Sequence, residues 1–246
     1  MRRMLNPPPF NQPKQTPRHA VANALPEERK VFLRKTYLHL ALAVLLLTGL
    51  EALLLRSPLT TWYVNITGQA KDSGLWLPIL LAFMFVSRFA KRYARKVLPI
   101  GQQYAYLAGF IVIKALLLLP LIWHANQAAP MTIMSSAIIS LALFSGLTLF
   151  AFLSGVDFSF LRGVVWVGSF VLIGIFIARW LLGFQLGWVA AALVFGYATI
   201  TLLYRTSEIM QQYRVEQYAV AALALFASVT MLFASVLRMQ NRLGRQ

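Results

Sequence analysis

The sequence predicts an all-α, polytopic membrane protein built as a bundle of seven transmembrane helices. Hydrophobic residues make up 59% of the 246 positions and charged residues only 12%, which is more apolar side chain than a soluble domain of this length can bury. The apolar residues also come in runs of about 20, the length at which a helix crosses ~30 Å of hydrocarbon. These runs do not alternate with a period of two, as the strands of a membrane β-barrel would.

Seven such runs follow one another along the chain. The second is short and ends in basic residues, and the fifth and sixth are separated by only three residues, so six helices with a re-entrant segment are the alternative. The predicted spans are residues 36–55, 75–90, 104–123, 131–153, 163–182, 186–204 and 218–237. The transmembrane domain is therefore assigned to residues 32–238, and a short basic C-terminal tail to residues 239–246.

Residues 1–31 differ in composition from the rest of the chain. They carry six prolines among Asn, Gln and Lys, so they can build neither a regular helix nor an apolar core. We expect a flexible, basic arm. Composition leaves open whether this arm is an inert leader or a segment that a protease or another partner engages.

Basic side chains predict the orientation, because Lys and Arg in short loops stay on the cytoplasmic side. They are concentrated in the N-terminal arm and after the second span, which predicts a cytoplasmic N-terminus; the C-terminal arginines fit seven crossings poorly and leave the side of the C-terminus open. The formal net charge of +16 lies mainly beside the spans, so we expect it to face anionic lipid and not nucleic acid. The basic cluster after the second span comprises Arg88, Lys91, Arg92, Arg95 and Lys96.

The sequence gives little support to an enzyme, a metal site or a cofactor. There is no cysteine, and the three histidines are scattered, His19 in the arm, His39 in the first span and His124 after the third. No nucleophile elbow, phosphate-binding loop or zinc-protease motif occurs. Both aspartates, Asp72 and Asp157, fall in predicted loops, so an intramembrane aspartyl protease is not expected.

Ionisable groups within the spans are the remaining candidates, since such groups are costly in lipid and usually face the bundle interior or water. Lys114 lies near the middle of the third span, where it either serves as a counter-ion or gate or else snorkels. Glu51 and Arg56 lie at the end of the first span and are expected at the interface. Asp157 follows the fourth span and is expected to cap the next helix.

The last two spans are separated by the polar segment 205–217, which predicts a membrane hairpin with a charged turn. Arg205 and Glu208 stand at its beginning, directly after the sixth span. If this segment is helical, the two side chains are three residues apart on one face and can form an ion pair.

Several segments together resemble the Bax inhibitor family of seven-helix membrane proteins, and within it the bacterial YccA-like branch. The resemblance extends from about residue 32 to residue 237, and it rests on the order and spacing of the motifs. The segments are FLRKTY (32–37), GLTLF (146–150), DFSFL (157–161), LYRTSEI (203–209) and YAVAALALF (218–226).

The resemblance implies two different functions. Calcium-leak members of the family gate a pore with a pair of aspartates, whose positions are occupied here by Arg205 and Ser228. Two carboxylates can share a proton and hold a divalent cation, whereas arginine and serine can do neither.

The YccA-like branch implies instead a protein of the bacterial inner membrane that binds the membrane protease FtsH and its partners HflK/HflC through a cytosolic N-terminal arm. Modulation of that protease, in membrane-protein quality control and the stress response, is therefore our leading hypothesis. The alternative is a pH-sensitive leak for calcium or another cation that uses Lys114, Arg205 or Glu208.

Overall fold

The computed structural model describes residues 20–72, 99–154, 156–182 and 187–243, and within these ranges the regular structure is helical. Six of the helices are long and apolar enough to cross a membrane, and the short α2 is the exception. This confirms the predicted polytopic helical fold. The α-helices are α1 (Pro26–Arg56), α2 (Leu59–Asp72), α3 (Ile100–Ala128), α4 (Met131–Leu153), α5 (Leu161–Leu182), α6 (Gly187–Gln212) and α7 (Tyr218–Leu243).

The predicted and observed spans agree for α3, α4, α5 and α7 to within a few residues at the helix beginnings. The first third of the chain contains one helix that was not predicted and one predicted span that the structure does not describe. The short helix α2 follows α1 directly and was not predicted, because its 14 residues are too few for a span. The predicted second span, residues 75–90, lies outside the described residues.

α1 begins inside the range that was assigned to the flexible arm. Pro26 occupies the first turn, where its fixed backbone angle fits a helix and its missing N–H has no intrahelical role. Glu27 and Glu28 follow in the same turn and favourably oppose the helix dipole. The helix therefore starts ten residues before the predicted span, which began at Thr36.

The core-facing side of α1 is a stripe of residues spaced three or four apart, as one face of a helix requires. The stripe continues without interruption to a carboxylate near the C-terminal end of the helix. The buried positions are Phe32, Thr36, Leu40, Ala43, Leu47 and Glu51.

α7 is the central helix of the bundle. Of its most apolar stretch of 18 residues, 72% are buried, whereas the corresponding value for α5 is 6%. α7 packs against α1, α3, α4 and α6, and α5 packs on the outside of α6. Small residues on α7, such as Ala221, Ala222 and Ser228, allow its neighbours to approach from several sides.

Large apolar side chains on the outer faces of the peripheral helices remain exposed in the isolated chain. Leu45 on α1, Leu141 on α4 and Phe170 on α5 each expose more than half of their surface. Such a belt is costly in water but matches lipid tails. The bundle is therefore arranged as a protein that sits in a bilayer.

α1 and α3 run side by side in the same direction. His39 Nε2 on α1 lies 2.7 Å from the Tyr104 hydroxyl at the beginning of α3. Twelve residues further along α3, the Leu116 carbonyl accepts a hydrogen bond from Tyr63 of α2. Helical rise then places Glu51 of α1 at about the level of Leu116, beside α2.

The segment before α1 is attached to the opposite end of the bundle. Ala20 and Val21 are buried, and the backbone N–H of Val21 donates a 3.0 Å hydrogen bond to the Tyr213 carbonyl, directly after α6. A short 3-10 turn, Val21–Asn23, then leads into α1. Residues 20–31 thus belong to the described structure and not to a free arm, and the rest of the predicted arm, residues 1–19, lies outside the described residues.

The predicted charged turn between the last two spans is also shorter than expected. α6 continues to Gln212, so Arg205 and Glu208 lie on a helix and the turn comprises residues 213–217. Part of this last stretch of α6 is buried against neighbouring elements, including three of its polar residues. Thr206, Ser207, Glu208, Ile209 and Met210 are all buried.

Candidate functional site

The polar cluster with the most connections lies at the C-terminal end of α6, where α5 and the segment before α1 also meet. Glu208 is its centre and exposes only 2% of its surface. The Arg205 guanidinium forms an ion pair with Glu208 Oε2, and the Tyr204 hydroxyl donates a 2.8 Å hydrogen bond to Oε1. The predicted pairing of Arg205 with Glu208 is therefore present.

A second arginine reaches the same carboxylate through the tyrosine. Arg162, at the beginning of α5, donates from Nε to the Tyr204 hydroxyl oxygen over 3.3 Å. The Arg205 guanidinium also lies over the Tyr204 ring, 5.2 Å from its centroid. Two cationic side chains and one anionic side chain thus share a single hydrogen-bonded cluster.

Asp157 belongs to a neighbouring network that joins α5 to α6. Its carboxylate accepts hydrogen bonds from the Ser159 N–H at 2.7 Å and from the Ser207 hydroxyl at 3.2 Å, so the predicted capping role is confirmed. Gln211 adds a contact, because the Ser159 hydroxyl donates to its amide oxygen. Partial burial raises the pKa of Asp157, but the hydrogen bonds from Ser159, Gln211 and Ser207 outweigh it and hold the pKa below its usual range.

Ser228, which matches the second aspartate of the calcium-leak proteins, is buried in the middle of α7. Its hydroxyl donates a 3.3 Å hydrogen bond to the Ala224 carbonyl one turn earlier in the same helix. Ser228 therefore bonds to its own backbone, whereas Arg205 is engaged with Glu208. Neither residue provides a carboxylate at the position of the family's aspartate pair.

Lys114 lies halfway along α3, as predicted, and its ammonium group sits over the Phe110 ring, 5.6 Å from the centroid. Phe110 in turn packs edge-on against Phe226 of the central helix. The cation thus contacts an aromatic face within the bundle, a recognised way to place a charge among apolar side chains. The structure does not bring Lys114 to the α6 cluster.

Sequence reasoning missed the position of one ionisable residue, Glu51. It was expected at the interface beside Arg56, but it exposes only 5% of its surface and continues the buried stripe of α1. Its spacing of four residues from Leu47 is the signal that could have revealed this. Both of its carboxyl oxygens are buried without a hydrogen-bond partner in the part of the chain that the structure describes.

The α6 cluster is an ion-pair network with two cationic side chains and one anionic side chain, and its carboxylate is already hydrogen-bonded. A divalent cation needs several free oxygen ligands, and the one carboxylate here is already bound by an arginine and a tyrosine. Within the described residues, no group of three or more His, Asp or Glu side chains comes together to hold a metal ion.

Comparison with protein families gives a match to the model described as "Inhibitor of apoptosis-promoting Bax1", over residues 29–245. The match covers most of the chain, from the first turn of α1 to the end of α7. Comparison with curated proteins finds no match.

Proposed function

The chain belongs to the Bax inhibitor family, and from this premise we propose that it modulates the bacterial membrane protease FtsH. In this proposal the protein is of the YccA-like branch and sits in the inner membrane with its N-terminus in the cytoplasm. It presents residues 1–19 to the protease or to its HflK/HflC partners. FtsH activity towards other membrane proteins changes while the protein is engaged.

The observation that supports this proposal is the fixed attachment point of the N-terminal arm. The burial of Ala20 and Val21 and the hydrogen bond from Val21 to Tyr213 tie the arm to the end of α6. A protease that pulls on the arm would therefore apply force to the α6–α7 hairpin and to the central helix. The packing of α7 against four neighbours would resist that force, which suits a protein that occupies a protease for long periods.

The test compares the full chain with a variant that lacks residues 2–19, in cells that contain or lack FtsH. We expect the deletion to lengthen the half-life of the protein several-fold, but only in cells that contain FtsH. We also expect overproduced full-length protein, and not the deletion variant, to slow the degradation of a second membrane substrate. A variant with the same 18 residues in permuted order controls for tail length and composition.

The proposal would be abandoned if the deletion changed neither half-life nor the degradation of the second substrate. The alternative, a pH-sensitive cation leak, is tested with the purified protein in liposomes that contain a calcium indicator. Because Arg205 already neutralises Glu208, we expect no calcium flux. A pH-dependent flux that disappears in Glu208→Gln would favour the leak instead.

A further inference from the structure

The carboxyl group of Glu51 lies at the junction of α1, α2 and α3, at the end of the bundle away from the α6 cluster. It exposes 5% of its surface, and neither of its oxygens has a hydrogen-bond partner among the described residues. Its neighbours on the buried face of α1 are apolar, with Leu47 one turn before it. An ionised carboxylate without partners in such surroundings is very costly, whereas a neutral carboxyl costs far less.

The hydroxyl groups at this junction have already donated their protons. Tyr63 donates to the Leu116 carbonyl over 2.9 Å, and Thr60 donates to the Leu54 carbonyl. Each hydroxyl has one proton and two lone pairs, so both oxygens can still accept a hydrogen bond. Neither hydroxyl therefore has a proton left to donate to an ionised Glu51.

Among the described residues, the charged and titratable groups around Glu51 do not neutralise it. Tyr63 of α2 is close enough to interact electrostatically with the carboxyl, but it is not a cation at neutral pH. On α3, the Lys114 ammonium lies over the Phe110 ring. At the helix ends, Arg56 of α1 and Arg238 of α7 are exposed.

We propose that Glu51 is a proton-binding site of this protein, with the proton held on the buried carboxyl. The ligand is a proton and not a metal ion, because a single carboxyl supplies too few ligands for a divalent cation. The site is independent of the protease hypothesis. It lies at the other end of the bundle from the N-terminal arm, and it would remain if that hypothesis failed.

The test is the reaction of the purified full-length protein, in lipid nanodiscs, with N,N′-dicyclohexylcarbodiimide, which enters apolar regions and attacks protonated carboxyls. The carboxyl oxygen bonds to the central carbon of the reagent, and the carboxyl proton moves to a nitrogen. The O-acylisourea then rearranges to an N-acylurea of the same mass. We expect peptide mass spectrometry to find the adduct at Glu51, with a yield that falls about tenfold per pH unit above the titration point.

Three variants make the result specific. Glu51→Gln should lose the adduct and also the infrared carbonyl band of a protonated carboxyl, whereas Glu28→Gln, at an exposed position, should change neither. Lys114→Gln should leave the yield and its pH profile unchanged. The proposal is overturned if Glu51 is not modified, if its yield is the same at low and high pH, or if Lys114→Gln shifts the profile, since Lys114 would then be the counter-ion.

Discussion

Two buried glutamates at opposite ends of the bundle have contrasting surroundings. Glu208 and Glu51 expose 2% and 5% of their surfaces, so burial does not distinguish them. Glu208 is bound by Arg205 and Tyr204, whereas Glu51 has no hydrogen-bond partner in the described chain. The two carboxyl groups thus differ in their partners and not in their depth, and our proposal that Glu51 holds a proton rests on that difference.

The difference originates in the local sequence of each helix. Glu208 has Tyr204 and Arg205 four and three residues before it, positions that lie on the same face of a helix. The only basic residue close to Glu51 in sequence is Arg56, five residues later, which is about 140° around the helix. Arg56 therefore points away from the buried stripe and cannot pair with Glu51.

The largest expected effect comes from removing the partner of Glu208. Arg205→Ala leaves a buried carboxylate without its counter-ion, which should reduce the free energy of unfolding by about 3 kcal/mol. Unfolding of the purified protein in mixed micelles measures this loss. Arg214→Ala, an exposed arginine in the following turn, is the matched control and should change stability little. A loss no larger than that of the control would show that the ion pair is not important for stability.

Removing the carboxyl group of Glu51, at the other end of the bundle, should change the free energy of unfolding in the opposite direction. Glu51→Gln should raise the free energy of unfolding at pH 7, because the wild-type chain must keep a proton on folding that the unfolded chain releases above about pH 4.3, at a cost of about 3.7 kcal/mol. Burying the glutamine amide without partners offsets roughly 2 kcal/mol of this gain. The advantage of the variant should grow with pH by about 1.4 kcal/mol per unit until the folded carboxyl ionises. An advantage that is independent of pH would contradict the proton site.

Tyr204→Phe should have a smaller effect than loss of the arginine. The variant removes one hydrogen bond to Glu208 and the link to Arg162, but it keeps the ion pair with Arg205. We expect a loss of about 1 kcal/mol in the same unfolding measurement. Tyr106→Phe, at an exposed tyrosine of α3, provides the comparison. Equal losses of unfolding free energy in Tyr204→Phe and Tyr106→Phe would show that the Tyr204 hydroxyl does not stabilise the cluster.

The smallest effect is expected at Asp157, which is exposed but hydrogen-bonded. Because the pKa of its carboxyl is lowered in the folded protein, its contribution to stability is present above the unfolded value of about 3.9 and is lost as pH falls through the folded value. Asp157→Asn should therefore lower the unfolding temperature slightly at pH 6 and by less at pH 3. If the variant still unfolded at a lower temperature than the wild type at low pH, the effect would come from packing and not from the charge of Asp157.

Sequence patterns predicted the helices well where hydrophobic length alone defines them. Met131–Leu153 agrees at both ends with the predicted fourth span. The start of α1 was misplaced because its first turns are helical although they are polar and exposed. The end of α6 was misplaced because polar residues there are helical and are buried by contacts with other segments. Thr206 and Ser207, for example, are buried although they read as part of a turn.

In the α6 cluster, too, contacts within one helix could be predicted from the sequence, whereas contacts between helices could not. The Arg205–Glu208 pair was predictable because its two members are three residues apart on one helix. Arg162 joins the cluster from α5, 42 residues away from Tyr204 along the chain, and no local pattern indicates that contact. The spacing of four residues between Leu47 and Glu51 could have indicated that Glu51 is buried. It could not have indicated that the carboxyl has no hydrogen-bond partner among the described residues.

Helix length, composition and motif order are properties of the linear chain, so the apolar membrane helices and the membership of the Bax inhibitor family can be recognised without any knowledge of contacts. Which polar groups are satisfied is a property of the packed bundle. Whether a buried side chain finds a donor depends on residues of other helices, as Tyr63, Thr60 and Arg162 show. That is why Glu208 and Glu51, the same residue type in similarly apolar helices, have different partners and different expected charges.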